Sequence, residues 1–169
     1  MPTTITGTDG VSQVQTGAVE SGDLPTGSVI QVVHDFTDTV VGTSADNTFV
    51  STGLSASITP ISANSKILIN AALHVGFNGT ADDEKQINVG LERNGSLIFG
   101  QIGFDDIRMN SIEDFAFRQP YTILDSPNQT SQLTYEFVGS KRLGSGEVRF
   151  QYANDQQSRS FITLMEIAG

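Results

Sequence analysis

Apolar residues recur at every second position along much of this chain. In FVSTGLSASIT (49–59), Leu54, Ala56 and Ile58 share one phase while Ser55, Ser57 and Thr59 take the other. A period of two marks a strand with one buried face. Ile87, Val89 and Leu91 repeat the pattern against Asn88, Gly90 and Glu92, and QLTYEFV (132–138) and EVRFQY (147–152) do so again. Shorter β-rich runs surround Val29, Ile30, Val32, Val33 and Phe36 at one end of the chain and Phe161, Ile162, Leu164, Met165 and Ile167 at the other. KILINAALHV (66–75) is the most apolar stretch; its length and flanking turn residues favour a strand over a helix. Phe115, Phe117 and Tyr121–Leu124 give one more strand, with Pro120 at an edge or a bulge.

Turn chemistry separates these runs. Pro25 and Gly27 precede the first strand, Pro60 and Asn64-Ser65 follow the second, and VVGTSADNT (40–48) and FNGTADDEKQ (77–86) read as polar loops. Asn94-Gly95 between alternating segments predicts a two-residue hairpin, because a type I′ turn needs positive φ at both positions. GSKRLGSG (139–146) reads as a glycine-rich hairpin loop. IRMNSIEDF (107–115) is ambiguous and compatible with a helical turn. Eight or nine strands at this spacing, with no helix beyond ten residues, predict an all-β antiparallel β-sandwich of jelly-roll type.

Residues 1–27 break the pattern. They hold no aromatic and no basic residue, and Thr, Gly and Ser dominate. Ile5, Val11, Val14, Val19 and Leu24 are too sparse to close a core. Two readings stand: a disordered leader, or an extended N-terminal arm that orders only against a partner. The domain division is therefore an arm, 1–27, and a head, 28–169.

Composition narrows the function classes. The 169 residues include no Cys, which removes disulfides, thiolate nucleophiles and Cys-ligated metals. A net charge of −10 argues against a nucleic-acid partner, which needs clustered Lys and Arg. No apolar run approaches the roughly 18 residues of a membrane span, and residues 1–27 lack the basic and apolar regions of a secretory signal.

Candidate chemistry is sparse. His34 and His74 each sit in a strand between apolar neighbours, where packing is the ordinary role. No G-x-S-x-G elbow supports a serine nucleophile. Asp82-Asp83-Glu84 and Asp105-Asp106 suit a Ca²⁺ loop no better than a solvated one, and EF-hand spacing is absent. Gly139–Gly146 has the glycine content of a phosphate cradle but neither its motif nor a following helix. Sequons at Asn78, Asn94 and Asn128 fall where loop residues collect. Of the ten Phe residues, Phe137, Phe150 and Phe161 read as core, and core is the default, ahead of an inter-subunit surface, for Phe77, Phe99, Phe104, Phe115 and Phe117 near loops. No catalytic residue, cofactor or metal ligand is assigned.

Five segments carry a resemblance: ITGTDGVSQVQTG (5–17), DLPTGSVIQVV (23–33), SITPISANSKILI (57–69), VGLERNGSLI (89–98) and SFITLMEIAG (160–169). Together they resemble a family of small virion structural proteins of tailed bacteriophages, especially those of marine and cyanobacterial hosts. SKILI and ITLMEIAG are the most specific parts. The resemblance implies a β-sandwich head, a homotrimer, and an N-terminal segment attaching it to the particle. It further implies a virion location, no enzymatic activity, and a role as capsid decoration (cement) protein on the major capsid protein or another virion protein. Tail-fibre tip, binding a host surface glycan or protein, is the alternative. A glycan-active enzyme is a third class, for which the sequence offers no convincing carboxylate pair. On this reading Ile5, Val11, Val14, Val19 and Leu24 are the candidate attachment residues.

Overall fold

A computed structural model describes residues 23–79, 84–100, 106–110, 114–153 and 156–169. These form eleven strands and a short 3-10 turn at Gln156–Ser158. The strands are β1 (Val29–Thr37), β2 (Val41–Thr43), β3 (Val50–Ile58), β4 (Lys66–Gly79), β5 (Glu84–Arg93) and β6 (Ser96–Phe99). Then come β7 (Asp106–Asn110), β8 (Asp114–Asp125), β9 (Leu133–Leu143), β10 (Gly146–Phe150) and β11 (Ser160–Ile167). All the pairings among them are antiparallel.

Two sheets result. In the first, β4 pairs with β8 along one edge and with β11 and then β10 along the other; β1 flanks β11 and β2 flanks β10. In the second, β9 lies between β3 and β5, and β6 and β7 share the far edge of β5. Take β10 with β11, and β6 with β7, as split single strands and set the short β2 aside. Numbered in chain order, the eight strands then run 1-8-3-6 in one sheet and 2-7-4-5 in the other. That is jelly-roll order, a double-sheet solution built from two Greek keys.

The core fills the space between the sheets. Ile67, Ile69, Leu73, Val75 and Phe77 of β4 face Leu54 and Ile58 of β3, and Leu133, Tyr135 and Phe137 of β9 face Val148, Phe150, Ile162 and Leu164. The alternation read from sequence for β3, β9 and β10 is the one observed. The Asn94-Gly95 turn has φ of 50° and 76°, as a type I′ hairpin requires.

Several segments differ from expectation. VVGT contains β2, and the loop read at 77–86 shrinks because β4 runs to Gly79 and β5 starts at Glu84. Residues 107–110 belong to β7, paired with β5, not to a helical turn. GSKRLGSG is mostly strand: β9 continues to Leu143, and the chain then crosses to the other sheet instead of forming a hairpin. Gly146 makes this crossing feasible, with φ of 124° and the Asn78 carbonyl where a Cβ would stand. On β5 the polar phase is buried too, since Gln86, Asn88 and Gly90 are covered, Gly90 by Leu97, Val138 and Phe49. Phe161 points outward from β11, opposite in phase to Ile162 and Leu164.

Gly139 of β9 faces inward, and a Cβ there would collide with the Phe150 ring. Gly139→Ala overpacks a core that has no slack. It is expected to cost about 1–3 kcal/mol, a fall in melting temperature of roughly 3–10 °C measurable by calorimetry.

Candidate functional site

The two histidines do not meet. His34 is exposed on β1, with Nδ1 2.9 Å from the Thr163 hydroxyl and its ring stacked on Phe161 at 6.1 Å. His74 is half-buried on β4, where Nδ1 accepts from the Tyr152 amide at 3.4 Å. β11 lies between their strands. Glu84 pairs with Arg108 at 2.8 Å, while Asp82, Asp83 and Asp105 lie outside the described residues. Among the described residues, no three His, Asp or Glu side chains converge as a metal site would require. Lys141, within the glycine-rich stretch, pairs with Asp46 at 3.1 Å. Of the sequons, Asn94 and Asn128 lie in turns or loops, but Asn78 is in β4. The Asn94 side chain accepts from the Thr134 amide at 2.8 Å, tying the hairpin to β9.

Of the candidate attachment residues, Ile5, Val11, Val14 and Val19 lie outside the described residues, and Leu24 is described. Leu24 stands where the chain enters the head. The Ser28 amide donates to the Pro25 carbonyl at 3.0 Å, closing the expected turn. The Gly27 amide donates to the Ala168 carbonyl and the Ala168 amide to the Ser28 carbonyl, both at 2.8 Å. The entering chain is thereby stitched to the end of β11, and β1 becomes an edge strand. Leu24, Ile30, Ile61, Ser62, Ser65, Ala168 and Gly169 line a pocket of about 200 Å³ at this point.

A row with three polar members closes the core beneath it. The pairings place Gln31, Glu166, Ile67 and Asp125 side by side across the first sheet. Glu166 is fully buried; its Oε1 accepts from the Ile61 amide at 2.8 Å and the Ser62 amide at 3.3 Å, holding the pocket wall. Asp125 reaches the opposite sheet. Its Oδ1 and Oδ2 accept from Arg93 at 2.9 and 2.7 Å, and Oδ2 accepts from the Tyr135 hydroxyl at 2.7 Å. Burial and the neighbouring Asp125 carboxylate push the Tyr135 phenol far above its ordinary pKa. Sequence reading passed over both acids. The available signal was an acid in core phase: Glu166 follows Ile162 and Leu164 at the same spacing.

No protein-family model matches the chain, and no curated protein matches it. Among solved structures it is similar to the VP2 subviral particle of infectious bursal disease virus, with TM-score 0.44, 13% identity, 82% of this chain covered and 33% of that one. It is also similar to dimeric latent PorU of Porphyromonas gingivalis, with TM-score 0.39, 11% identity, and 85% and 14% covered. A CBM4 structure follows at TM-score 0.33 and 15% identity, with 87% and 83% covered. The chain spans about a third of the length of the viral protein.

The Tyr135 contacts have a pH consequence. A phenol whose pKa is raised by folding contributes stability that is complete below its unfolded value, about 10, and is lost as pH rises beyond it. Tyr135→Phe is expected to cost about 1–2 kcal/mol at neutral pH, since one hydrogen bond is lost. It should also flatten the fall in stability above about pH 10. Chemical denaturation across pH 7–11 reads both effects.

Proposed function

We propose that this chain is a bacteriophage virion structural protein: a homotrimeric capsid decoration protein whose N-terminal arm, residues 1–27, holds it to the major capsid protein or another virion protein. The observation that carries this reading is the strand order. It is a jelly roll, one form of the β-sandwich head that the sequence resemblance implies, and the kind of domain used in viral shells. The way the chain enters the head also supports it. Gly27 and Ser28 are bonded to Ala168 at the margin of the sheet, so the arm and the head join beside an edge strand.

Attachment through the arm fits its chemistry. Its alternating stretches, Thr4-Ile5-Thr6 and Val11–Gln15, suit addition to a neighbouring sheet edge, where main-chain hydrogen bonds give affinity and small side chains fit a crowded seam. Ordering such a segment costs about 1–2 kcal/mol per residue in backbone entropy. A long paired contact, repeated in each subunit of a trimer, offsets that cost. The role is structural and not catalytic.

Deletion of residues 2–22 should leave the head folded with an almost unchanged melting temperature, because the Gly27–Ala168 and Ser28–Ala168 bonds remain. The same deletion should abolish incorporation into virions, read by quantifying the protein in purified particles. Wild-type occupancy by the truncated chain contradicts arm attachment. Full-length protein present in numbers comparable to the major capsid protein supports decoration; a small fraction of that number supports a fibre tip.

A further inference from the structure

The outward face of the first sheet does not look like a surface meant for water. Cross-strand register lines its side chains up in rows across β1, β11, β4 and β8. The first row is Val32, Met165, Leu68 and Leu124. The second is His34, Thr163, Asn70 and Thr122, and the third is Phe36, Phe161, Ala72 and Pro120. Two apolar rows thus flank one polar row. Val32, Leu124 and Phe36 are 57%, 56% and 48% exposed. The polar row is bonded within itself: His34 Nδ1 lies 2.9 Å from the Thr163 hydroxyl, and the Thr122 hydroxyl donates to Asn70 Oδ1 at 2.9 Å.

None of these three rows of four carries an Asp, Glu, Lys or Arg, in a chain of net charge −10. Charge gathers at the margins: Lys66 beside Ile167 at one end, Arg118 and Arg159 over Phe161 and Phe36 at the other. The outward face of the second sheet is the contrast. There Ser55 lies opposite Glu136, Ser57 opposite Thr134, and Glu92 opposite Glu136, a like-charge pair that water must screen.

We infer that the outward face of the β1–β11–β4–β8 sheet is where three copies of this chain meet, packed around a threefold axis parallel to the strands. This rests on the reading of the chain as a homotrimeric structural protein and locates its contact. The rows run straight across four strands, so around such an axis each row meets the same row of its neighbours. Apolar layers then stack on apolar, and the polar layer, already bonded internally, meets its own kind. Charge favours the same occupant, because this is the face on which identical acidic chains approach without burying a carboxylate. The dimensions close as well. Four strands about 4.8 Å apart make a face about 19 Å wide, and three such faces form a triangle whose sides lie about 5.5 Å from the axis. Packed sheets stand about 10 Å apart, so each side contributes about 5 Å of side chain, enough to fill the centre. An uncharged apolar area with a charged margin is also the anatomy of a protein interface.

Light scattering of the purified full chain at micromolar concentration should give three times the 18.1 kDa chain mass; a mass of one or two chains overturns the inference. Leu124→Asp and, separately, Val32→Asp should give folded monomers by circular dichroism, since both side chains are exposed in the single chain. Leu143→Asp, at a site 47% exposed at the end of β9, should remain trimeric. Trimeric face variants, or a monomeric Leu143→Asp, overturn the inference. A measurement on the wild type does not depend on any variant folding: His34, exposed in one chain, should be protected from acylation by diethyl pyrocarbonate in the assembly. Full reactivity of His34 overturns the inference. A trimer that passes these tests but never joins virions removes the virion reading and leaves the surface standing; a monomer that joins virions does the reverse.

Discussion

One strand sets the terms for the rest. β4 is 14 residues long, and no single partner covers its second edge. β11 pairs with it as far as Ala72, and β10 takes over from Val75. Between them the chain must leave the sheet and return, and the backbone groups of β4 at the gap still need partners. The Gln151 amide donates to the His74 carbonyl at 3.0 Å, and the His74 amide donates to the Ser160 hydroxyl oxygen at 2.8 Å. Gln151 adopts φ of 52° to make the exit and is fully buried there. With its amide nitrogen toward β3, its side chain donates to the Thr39 and Thr52 carbonyls at 3.0 Å each and accepts from Ser160. The residue that follows β10 therefore joins the two sheets.

The sandwich is fastened differently at its other end. There the core gives way to Glu166 and Asp125, acids placed in the apolar phase of their strands. Buried acceptors are tolerable when donors are fixed around them. Glu166 receives two loop amides, both on Oε1, while Oε2 is buried without a hydrogen bond; Asp125 receives a guanidinium and a phenol from the facing sheet. Strand length fixes one end and side-chain chemistry the other, with aliphatic packing between them.

What the sequence disclosed was local. The Asn94-Gly95 turn was legible because its φ requirements are met by those two residues alone. The inward sets of β3 and β9 were legible because alternation is a property of one strand. What escaped depends on distant segments. β5 reads as half-buried, yet Phe49 and Leu97 arrive from elsewhere to cover its polar phase. β7 has weak propensity and is a strand because β5 offers it an edge. The Arg93–Asp125–Tyr135 cluster needs β5, β8 and β9 in correct register, which no window of sequence contains. Phe161 reads as core in the sequence because hydrophobicity alone does not say which face of a sheet a residue occupies. Of the five candidate attachment residues, Leu24 alone falls among those described, at the edge of a small pocket.

The jelly-roll order also governs when this head is able to form. Val29 pairs with Ile167 and Phe36 with Phe161, so the first strand waits for the last. The chain between them must be folded or gathered before that edge closes, and loop-closure entropy comes due before the contacts that repay it. β3 waits similarly for β9. Slow, late-closing assembly follows. During synthesis, β1 has no native partner until residues 160–167 have been made, and through that interval an unpaired strand rich in valine stands open to other chains.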